Sequence, residues 1–312
     1  ALASMMALSM TACSSGSTAA TAAETKASEA ETTTEAASSE AEETTAAAAG
    51  IEGGTLIVGF DQDFPPMGFL GDNNEYTGFD LELAQEVAKR LGLEYQAQPI
   101  AWDAKDMELE SGNIDCIWNG FTMNGREDDY TFSAPYVDNS QVIVVADDSG
   151  IEKLTDLAGK TVGVQAASAA LDLLQSEEEG GQKELADTFG ALNEFADYNT
   201  AFTELQAGAL DALAIDVGVA KYQLNSRGKG FKILDETLNT EQYAIGFKKG
   251  NTELCDIVNA DLQKLADDGT VAELAEKYEI ADMVTLKASD DASAEDSKDA
   301  TDDAETDKTE EK

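Results

Sequence analysis

The sequence predicts an α/β fold over residues 51–287, and three observations carry that prediction. Short runs of Val, Ile and Leu alternate with stretches whose apolar residues recur every three or four positions, the pattern of strands alternating with helices. The helical stretches stop at glycines, and an apolar run follows each stop. Third, "ELESGNIDCIWN" (108–119) and "ELQAGALDALAI" (204–215) share Glu-Leu, two residues, Gly, one residue, an aliphatic residue and Asp. Two readings of this echo stand side by side. Helix–Gly–strand units resemble one another in many proteins, or the chain holds two similar α/β lobes.

The elements follow in order. "TLIVGF" (55–60) is the first strand and ends at Asp61. A Pro-Pro turn, Phe64 to Met67, leads into the polar hairpin "GDNNEYTG" (71–78). Asp80 is expected to cap a helix whose Leu81, Ala84, Val87, Ala88 and Leu91 share a face, with Gly92 as its stop. "LEYQAQPI" (93–100) alternates as a strand, 104–111 is a short helix closed by Gly112, and "IDCIW" (114–118) is the next strand. The second half repeats the order. "LTDLAG" (154–159) is a short helix, "TVGV" (161–164) a buried strand, and Ser168 the candidate cap of a helix over 168–176. "AFTELQAGALDALAID" (201–216) reads as helix, Gly208 and strand, ending at Asp216 before a further helix. Open α/β sheets bind ligands beyond the carboxyl ends of their strands. Asp61, the stretch Asn119 to Arg126, Ser168 and Asp216 all lie there.

Composition removes several chemistries. The chain of 312 residues holds 63 acidic and 20 basic residues, a net charge of −43, and no histidine. Histidine-based triads and histidine-ligated metals are therefore excluded, and no metal site or cofactor is expected. Residues 14–50 contain seven Glu and one Lys, and 288–312 contain eleven acids and three Lys, which leaves −29 on the segment between them. An acidic core argues against nucleic acid as a partner, since phosphate binding needs basic surface. Both end segments are Ser, Thr, Ala and acid with no aromatic residue, so they are expected to be a disordered tether and a disordered acidic tail. Residues 1–13 read as the end of a secretory signal running into a lipoprotein box, Met10-Thr11-Ala12-Cys13, with Cys13 lipidated and the protein held outside the cytoplasm at the membrane. Cys116 and Cys255 either pair or remain buried free thiols.

"VGFDQDFPPMGF", "YTGFDLELAQEVAKRLG", "SGNIDCIWNGFTMNGRED", "FSAPY", "LAGKTVGVQAAS", "AGALDALAID" and "LADDGTVAELAEKYEI" occur in that order between about residues 54 and 280. With these pieces the chain resembles the polar amino acid solute-binding proteins of ABC transporters, bacterial extracellular solute-binding family 3, in lipoprotein form. The resemblance implies a periplasmic-binding-protein-like fold: two α/β lobes joined by two hinge strands, with the ligand cleft between them. Lobe 1 would comprise 51–143 and 243–287 and lobe 2 144–242, with hinges near "QVIVV" (141–145) and "EQYAIG" (241–246). It also implies a monomer that captures a free amino acid and delivers it to a membrane permease with its cytoplasmic ATPase.

A zwitterion leaving water needs an opposite charge and hydrogen bonds at each end. Arg126 is expected to hold the α-carboxylate with its planar fork, aided by backbone amides at Thr122 and around Ser168 and Ala169. Asp216 is expected to take the α-ammonium beside the Gly120 carbonyl. Other roles remain open: a surface pair with Asp128 or Asp129 for Arg126, and a helix cap for Asp216. Asp61, Phe64, Trp102, Asn119, Phe121 and Tyr243 are expected around the ligand's side chain, the aromatics as walls or as core. The acidic core and Asp61 favour a neutral polar or basic ligand and disfavour a second carboxylate, unless a local cation answers it. The turn "TMNGR" is one residue shorter than the family's usual Thr-x-Thr-x-x-Arg, and Ala167-Ser168-Ala169 stands where the family usually has Gly-Ser-Ser/Thr, so one hydroxyl is missing. The same fold hosts dehydratases and receptor sensor lobes. A dehydratase here would need a carboxylic acid, Asp61 or Asp103, as its general acid.

Overall fold

Residues 54–289 are described by a computed structural model of the chain. Cys13, the segment 14–50 and all but the first two residues of the acidic tail lie outside the described residues. The chain opens with β1 (Thr55–Phe60), whose Leu56, Val58 and Phe60 are fully buried. Three short strands form a separate small sheet: β2 (Asp63–Phe64), β3 (Gly68–Leu70) and β4 (Tyr76–Thr77). Helix α1 (Phe79–Arg90) buries Leu81, Ala84, Val87 and Ala88, and places Asp80 and Glu82 in its first turn and Lys89 and Arg90 in its last, as the helix dipole favours. Then come β5 (Glu94–Pro99), a 3₁₀ turn (Trp102–Ala104), α2 (Lys105–Ser111), β6 (Cys116–Ile117), β7 (Tyr130–Phe132) and the long β8 (Val137–Ala146).

The second half runs through a 3₁₀ turn (Leu154–Leu157), β9 (Thr161–Gln165), α3 (Ala169–Gln175), α4 (Lys183–Ala186) and β10 (Ala191–Phe195). It continues with α5 (Tyr198–Gln206), β11 (Ala212–Asp216), α6 (Val217–Arg227), β12 (Phe231–Ile233) and β13 (Asn239–Tyr243). The chain then returns to the first sheet as β14 (Gly246–Lys248) and ends in α7 (Thr252–Asp267) and α8 (Thr270–Lys277).

The larger sheets have orders β5-β1-β6-β14-β7 and β10-β9-β11-β8-β12, with β13 paired to β8. Their matching halves decide the meaning of the internal echo. Val58 pairs with Cys116 and Gly59 with Ile117, while Val162 pairs with Ala212 and Gly163 with Leu213. Asp115 grips the backbone of Ile57 twice, accepting from its N–H at 2.7 Å and donating its own N–H to the carbonyl at 2.8 Å. Asp211 grips Thr161 the same way, at 2.8 and 2.9 Å. A Cβ on Gly59 would lie 2.3 Å from Ile114 Cδ1, and one on Gly163 2.5 Å from Leu210 Cδ1. Each echo therefore supplies one aliphatic plug and one aspartate clamp to the glycine strand beside it. The two lobes are built on one plan.

The chain crosses between the sheets twice. Ser133–Tyr136 leads into β8, and Ala244–Ile245 leads from β13 to β14, tied by Tyr136 N–H to the Tyr243 carbonyl and Ser133 N–H to the Ile245 carbonyl, both 3.0 Å. Gln141–Val145, expected as a hinge, is paired with Asp216–Ala212 inside the second sheet, so the connecting segment lies a few residues earlier. The Asp80 expectation is also corrected. Gly78 occupies the cap position of α1 with no side-chain cap bond, and the Asp80 carboxylate instead accepts from Gly120 N–H at 2.5 Å and Tyr136 Oη at 2.8 Å. A carboxylate this deeply buried is directed to the donors that offset its lost hydration. Burial still pushes its pKa up to about 7. Cys116 and Cys255 are buried free thiols. Among the described residues, no helix is long and apolar enough to cross a membrane.

Candidate ligand site

The carboxyl ends of β1, β6, β9 and β11 face one another across the gap between the two sheets. Asp61 follows β1 and its carboxylate accepts from Gln165 Nε2, the last residue of β9, at 2.6 Å. Nearby, Asp63 accepts from Asn199 Nδ2 at 2.5 Å, and the Phe64 and Tyr198 rings approach to 6.1 Å. Asp61 is buried, and that burial raises its pKa to about 6 against the opposing pull of the Asp63 amide and Gln165. Asn119 Oδ1 accepts the Asp61 backbone N–H at 2.9 Å, while its Nδ2 lies against Gly68. The Asn119 side chain thus reaches the cleft through Asp61, which it orients.

Asp216 stands buried at the end of β11. It occupies the cap position of α6 but makes no side-chain cap bond. Its carboxylate accepts instead from Asn139 Nδ2 and Gln141 Nε2, both at 2.8 Å, from Tyr243 Oη at 2.6 Å and from Tyr198 Oη at 3.3 Å. Glu241 draws on the same two amides, at 2.8 and 2.7 Å, and on Thr122 Oγ1 at 2.9 Å. Two buried carboxylates sharing donors cannot both ionise freely. Burial, and then the charge of Asp216, raises the Glu241 pKa to about 7; burial raises Asp216 as well. An added cation is what such a pair lacks.

Arg126 supplies the positive end. Its turn closes with Arg126 N–H on the Met123 carbonyl at 3.0 Å, and the guanidinium lies 5.0 Å over the Phe121 ring. Nη1 reaches the Thr122 carbonyl at 3.4 Å, and Nη2 pairs with Asp172 of α3 at 2.7 Å. The expected alternative partners, Asp128 and Asp129, are not the ones used, because the turn aims the side chain at the other lobe. The arginine side chain is 12% exposed and Asp172 61%, so the sheltered cation is answered only by a carboxylate at the rim.

The remaining expected residues divide. Phe121 packs among Trp102, Tyr130 and Phe132 at 5.8, 5.0 and 5.5 Å, which makes it core on one face and a seat for Arg126 on the other. Gly120, at φ +57°, lies so close to Phe64 and Tyr243 that a Cβ would meet them at 2.8 and 2.9 Å. Ser168 caps α3, accepting Leu171 N–H at 3.2 Å while donating to the Gln165 carbonyl, and Ala169 begins that helix. Tyr243 serves as a donor to Asp216. Sequence reasoning missed Lys105, Gln165, Asp172, Tyr198 and Glu241, and the amides Asn139 and Gln141. The last two carried a signal: they stand two apart in the strand that begins "VDNSQVIVV", hence on one face of it.

Two lobes of common plan, joined by paired crossing segments, with a sheltered cation and buried carboxylates on the residues beyond their strands, are the architecture of a solute-binding protein. The chain belongs to the bacterial extracellular solute-binding proteins, family 3, whose model matches residues 56–281. It is 32% identical over 235 residues to the L-cystine-binding protein TcyJ of Escherichia coli (strain K12), covering 74% of this chain and 85% of the relative. Over 228 residues it is 34% identical to the arginine-binding extracellular protein ArtP of Bacillus subtilis (strain 168), covering 72% and 85%. Its fold matches an ABC uptake transporter substrate binding protein from Streptococcus pneumoniae with bound histidine at a TM-score of 0.70 and 32% identity, over 79% of this chain and 97% of that one. These relatives are binding proteins for amino acids.

Proposed function

We propose that this chain captures one free α-amino acid, with Arg126 on the carboxylate and Asp216 on the ammonium, and presents it to the permease of an ABC importer. One observation carries the reading: a sheltered cation in the loop beyond β6 and a buried carboxylate at the end of β11 belong to different lobes, so a zwitterion that meets both holds the lobes together. Ligand contacts to both lobes favour the closed state by their differential energy. Asn139, Gln141, Tyr198 and Tyr243 hold Asp216 in place, and Asn119 and Gln165 hold Asp61. The moving units are lobe 1, about 54–132 and 246–287, and lobe 2, about 137–243, since β8 and β13 pair within the second sheet, and they flex where Ser133–Tyr136 and Ala244–Ile245 connect them. Cys13 is the lipid anchor and 14–50 its tether, with the core acting as a monomer.

The net charge of −29 between tether and tail, together with Asp61, favours a neutral polar or basic ligand. Among such ligands the resemblance to TcyJ puts cystine first, with arginine next on the likeness to ArtP. A dehydratase reading would make Asp61 the general acid, and its raised pKa suits that task. Its carboxylate is already engaged by Gln165 and the Asp63 amide, however, which favours binding over chemistry. A melting-temperature screen against the common amino acids and cystine tests the proposal. A ligand at a hundred times its dissociation constant stabilises the fold by ~2.7 kcal/mol. The bound ligand should also be released unmodified. A screen in which no amino acid raises the melting temperature counts against amino acid capture, and release of an altered ligand counts for the enzyme.

A further inference from the structure

Lys105 is a cation in the cleft wall to which the proposed zwitterion gives no task. It is 5% exposed, donates one long hydrogen bond of 3.3 Å to the Ala167 carbonyl of the facing lobe, and makes no ion pair among the described residues. It is also the first residue of α2, where the helix dipole disfavours positive charge. Burial, followed by the repulsion of Arg126, pulls its pKa down against Asp106, Asp172 and Asp103. A sequestered ammonium with so little to offset its lost hydration is costly for the folded protein alone.

The surroundings indicate what offsets it. Arg126 lies 5.0 Å over the Phe121 ring and Lys105 5.3 Å over the Trp102 ring, and the two rings meet edge to face at 5.8 Å. The cleft therefore holds two cations on adjoining seats. A crevice of about 370 Å³ with Trp102 in its wall is lined by Asp61, Asp63, Asp103 and Asp197. A basic side chain would find these acids but would leave Lys105 unanswered. A simple dicarboxylic amino acid would answer Lys105 but place no cation by the acids. A molecule with an amino acid head at each end meets both.

We propose that Lys105 binds a second carboxylate at the far end of the ligand's side chain, so that the cleft selects a double zwitterion of the cystine type. Arg126 and Asp216 hold the first head, in which respect the proposal rests on the reading above. Lys105 holds the distal carboxylate, and Asp61 with its acidic crevice holds the distal ammonium. The local cation that can overcome the acidic bias of the core is this lysine.

Calorimetry on wild type, Lys105→Met and Lys105→Gln decides it, with four ligands: L-cystine, the mixed disulfide of cysteine and cysteamine, L-arginine and L-glutamine. The mixed disulfide is cystine without one carboxylate. Wild type should bind cystine more tightly than the mixed disulfide. Lys105→Met should weaken cystine by roughly 10- to 100-fold, the span of a hydrogen bond to a charged group, and the mixed disulfide by less than about threefold. Lys105→Gln should repeat the pattern, guarding against a folding defect in one variant. Equal losses for both disulfides would make Lys105 a closing latch or a second contact to the first carboxylate, and would overturn the proposal. So would undiminished cystine binding by the variants. If wild type binds arginine or glutamine but not cystine, amino acid capture stands and this inference falls. If wild type binds none of the four, this inference falls, and the full melting-temperature screen decides amino acid capture.

Discussion

Replacing Arg126 by alanine removes the cation assigned to the ligand's α-carboxylate, and the structure allows the loss to be graded. Truncating one partner of a buried charge pair costs about 3–5 kcal/mol, because the other charge remains sequestered, which corresponds to ~10²–10³-fold in affinity. Two features shift the expectation toward the lower end. Lys105 remains in the same wall, and the Arg126 side chain is 12% exposed, so some water reaches the vacated position. The present partner, Asp172, competes weakly, since a pair with one member 61% exposed is worth only ~0–1 kcal/mol. Arg126→Ala should therefore weaken the ligand found in the screen about a hundredfold, and Asp172→Asn should change it by less than about fivefold in either direction. Arg126→Lys should recover little, because an ammonium cannot reproduce the planar fork or its stack on Phe121. Isothermal titration calorimetry gives the affinities, and melting curves without ligand confirm folding. Arg126→Ala binding within threefold of wild type, with a lowered melting temperature, would show that this arginine is a strut between the lobes and not a ligand group.

Three further outcomes follow from the packing and the charges. Asp80, Glu241 and Asp61 have folded pKa values raised to about 7, 7 and 6, so the folded state binds more protons than the unfolded chain between about pH 4 and 7; stability is full below that window and lost as pH rises through it. Ligand-free protein should melt higher at pH 5 than at pH 8, and Asp80→Asn should flatten the difference; a melting temperature that climbs from pH 5 to 8 refutes this. Gly59→Ala and Gly163→Ala should each cost ~1–3 kcal/mol, because each drives a methyl into the aliphatic plug beside its strand. Denaturant titration reads this directly, and two neutral substitutions would remove the claim that the plugs are tight. Deleting residues 290–312 should leave the dissociation constant within about threefold, since an acidic tail is repelled by an acidic core within a Debye length of ~8 Å; a larger shift would place the tail at the cleft.

What was legible in the sequence was what depends on neighbours in the chain. The glycine stops after α1, α2 and α5, the strands beside them and the residues just beyond the strand ends all follow from local periodicity and backbone permissiveness. Even the echo of "SGNIDC" in "AGALDA" could be read, although only the structure shows why both halves need it: an aliphatic plug for a glycine strand and an aspartate that grips that strand's backbone. Asp80 misled because an acid at a helix start usually caps it, and here Gly120 and Tyr136, from 40 and 56 positions away, outbid the local amides. The site's second layer failed for the same reason. Glu241 and Lys105 look like ordinary solvated charges in a chain with 83 of them, and nothing within ten residues of either shows that it is buried.

Burial decides how each behaves. Glu241 sits beside Asp216 on shared amides, so the acid pair loses negative charge near neutral pH until a cation enters. Arg126 has Asp172 at the rim, but Lys105 beside it has a single carbonyl and no ion pair among the described residues, so it is the under-compensated cation until an anion enters. Each end of the cleft is thus strained by its own like charges and relieved by the ligand's opposite ones. A zwitterion gains contacts with both ends and also removes two internal repulsions. Because the groups concerned come from both lobes, that relief is available only when the lobes are together. On the proposed reading, closure and recognition are the same electrostatic event.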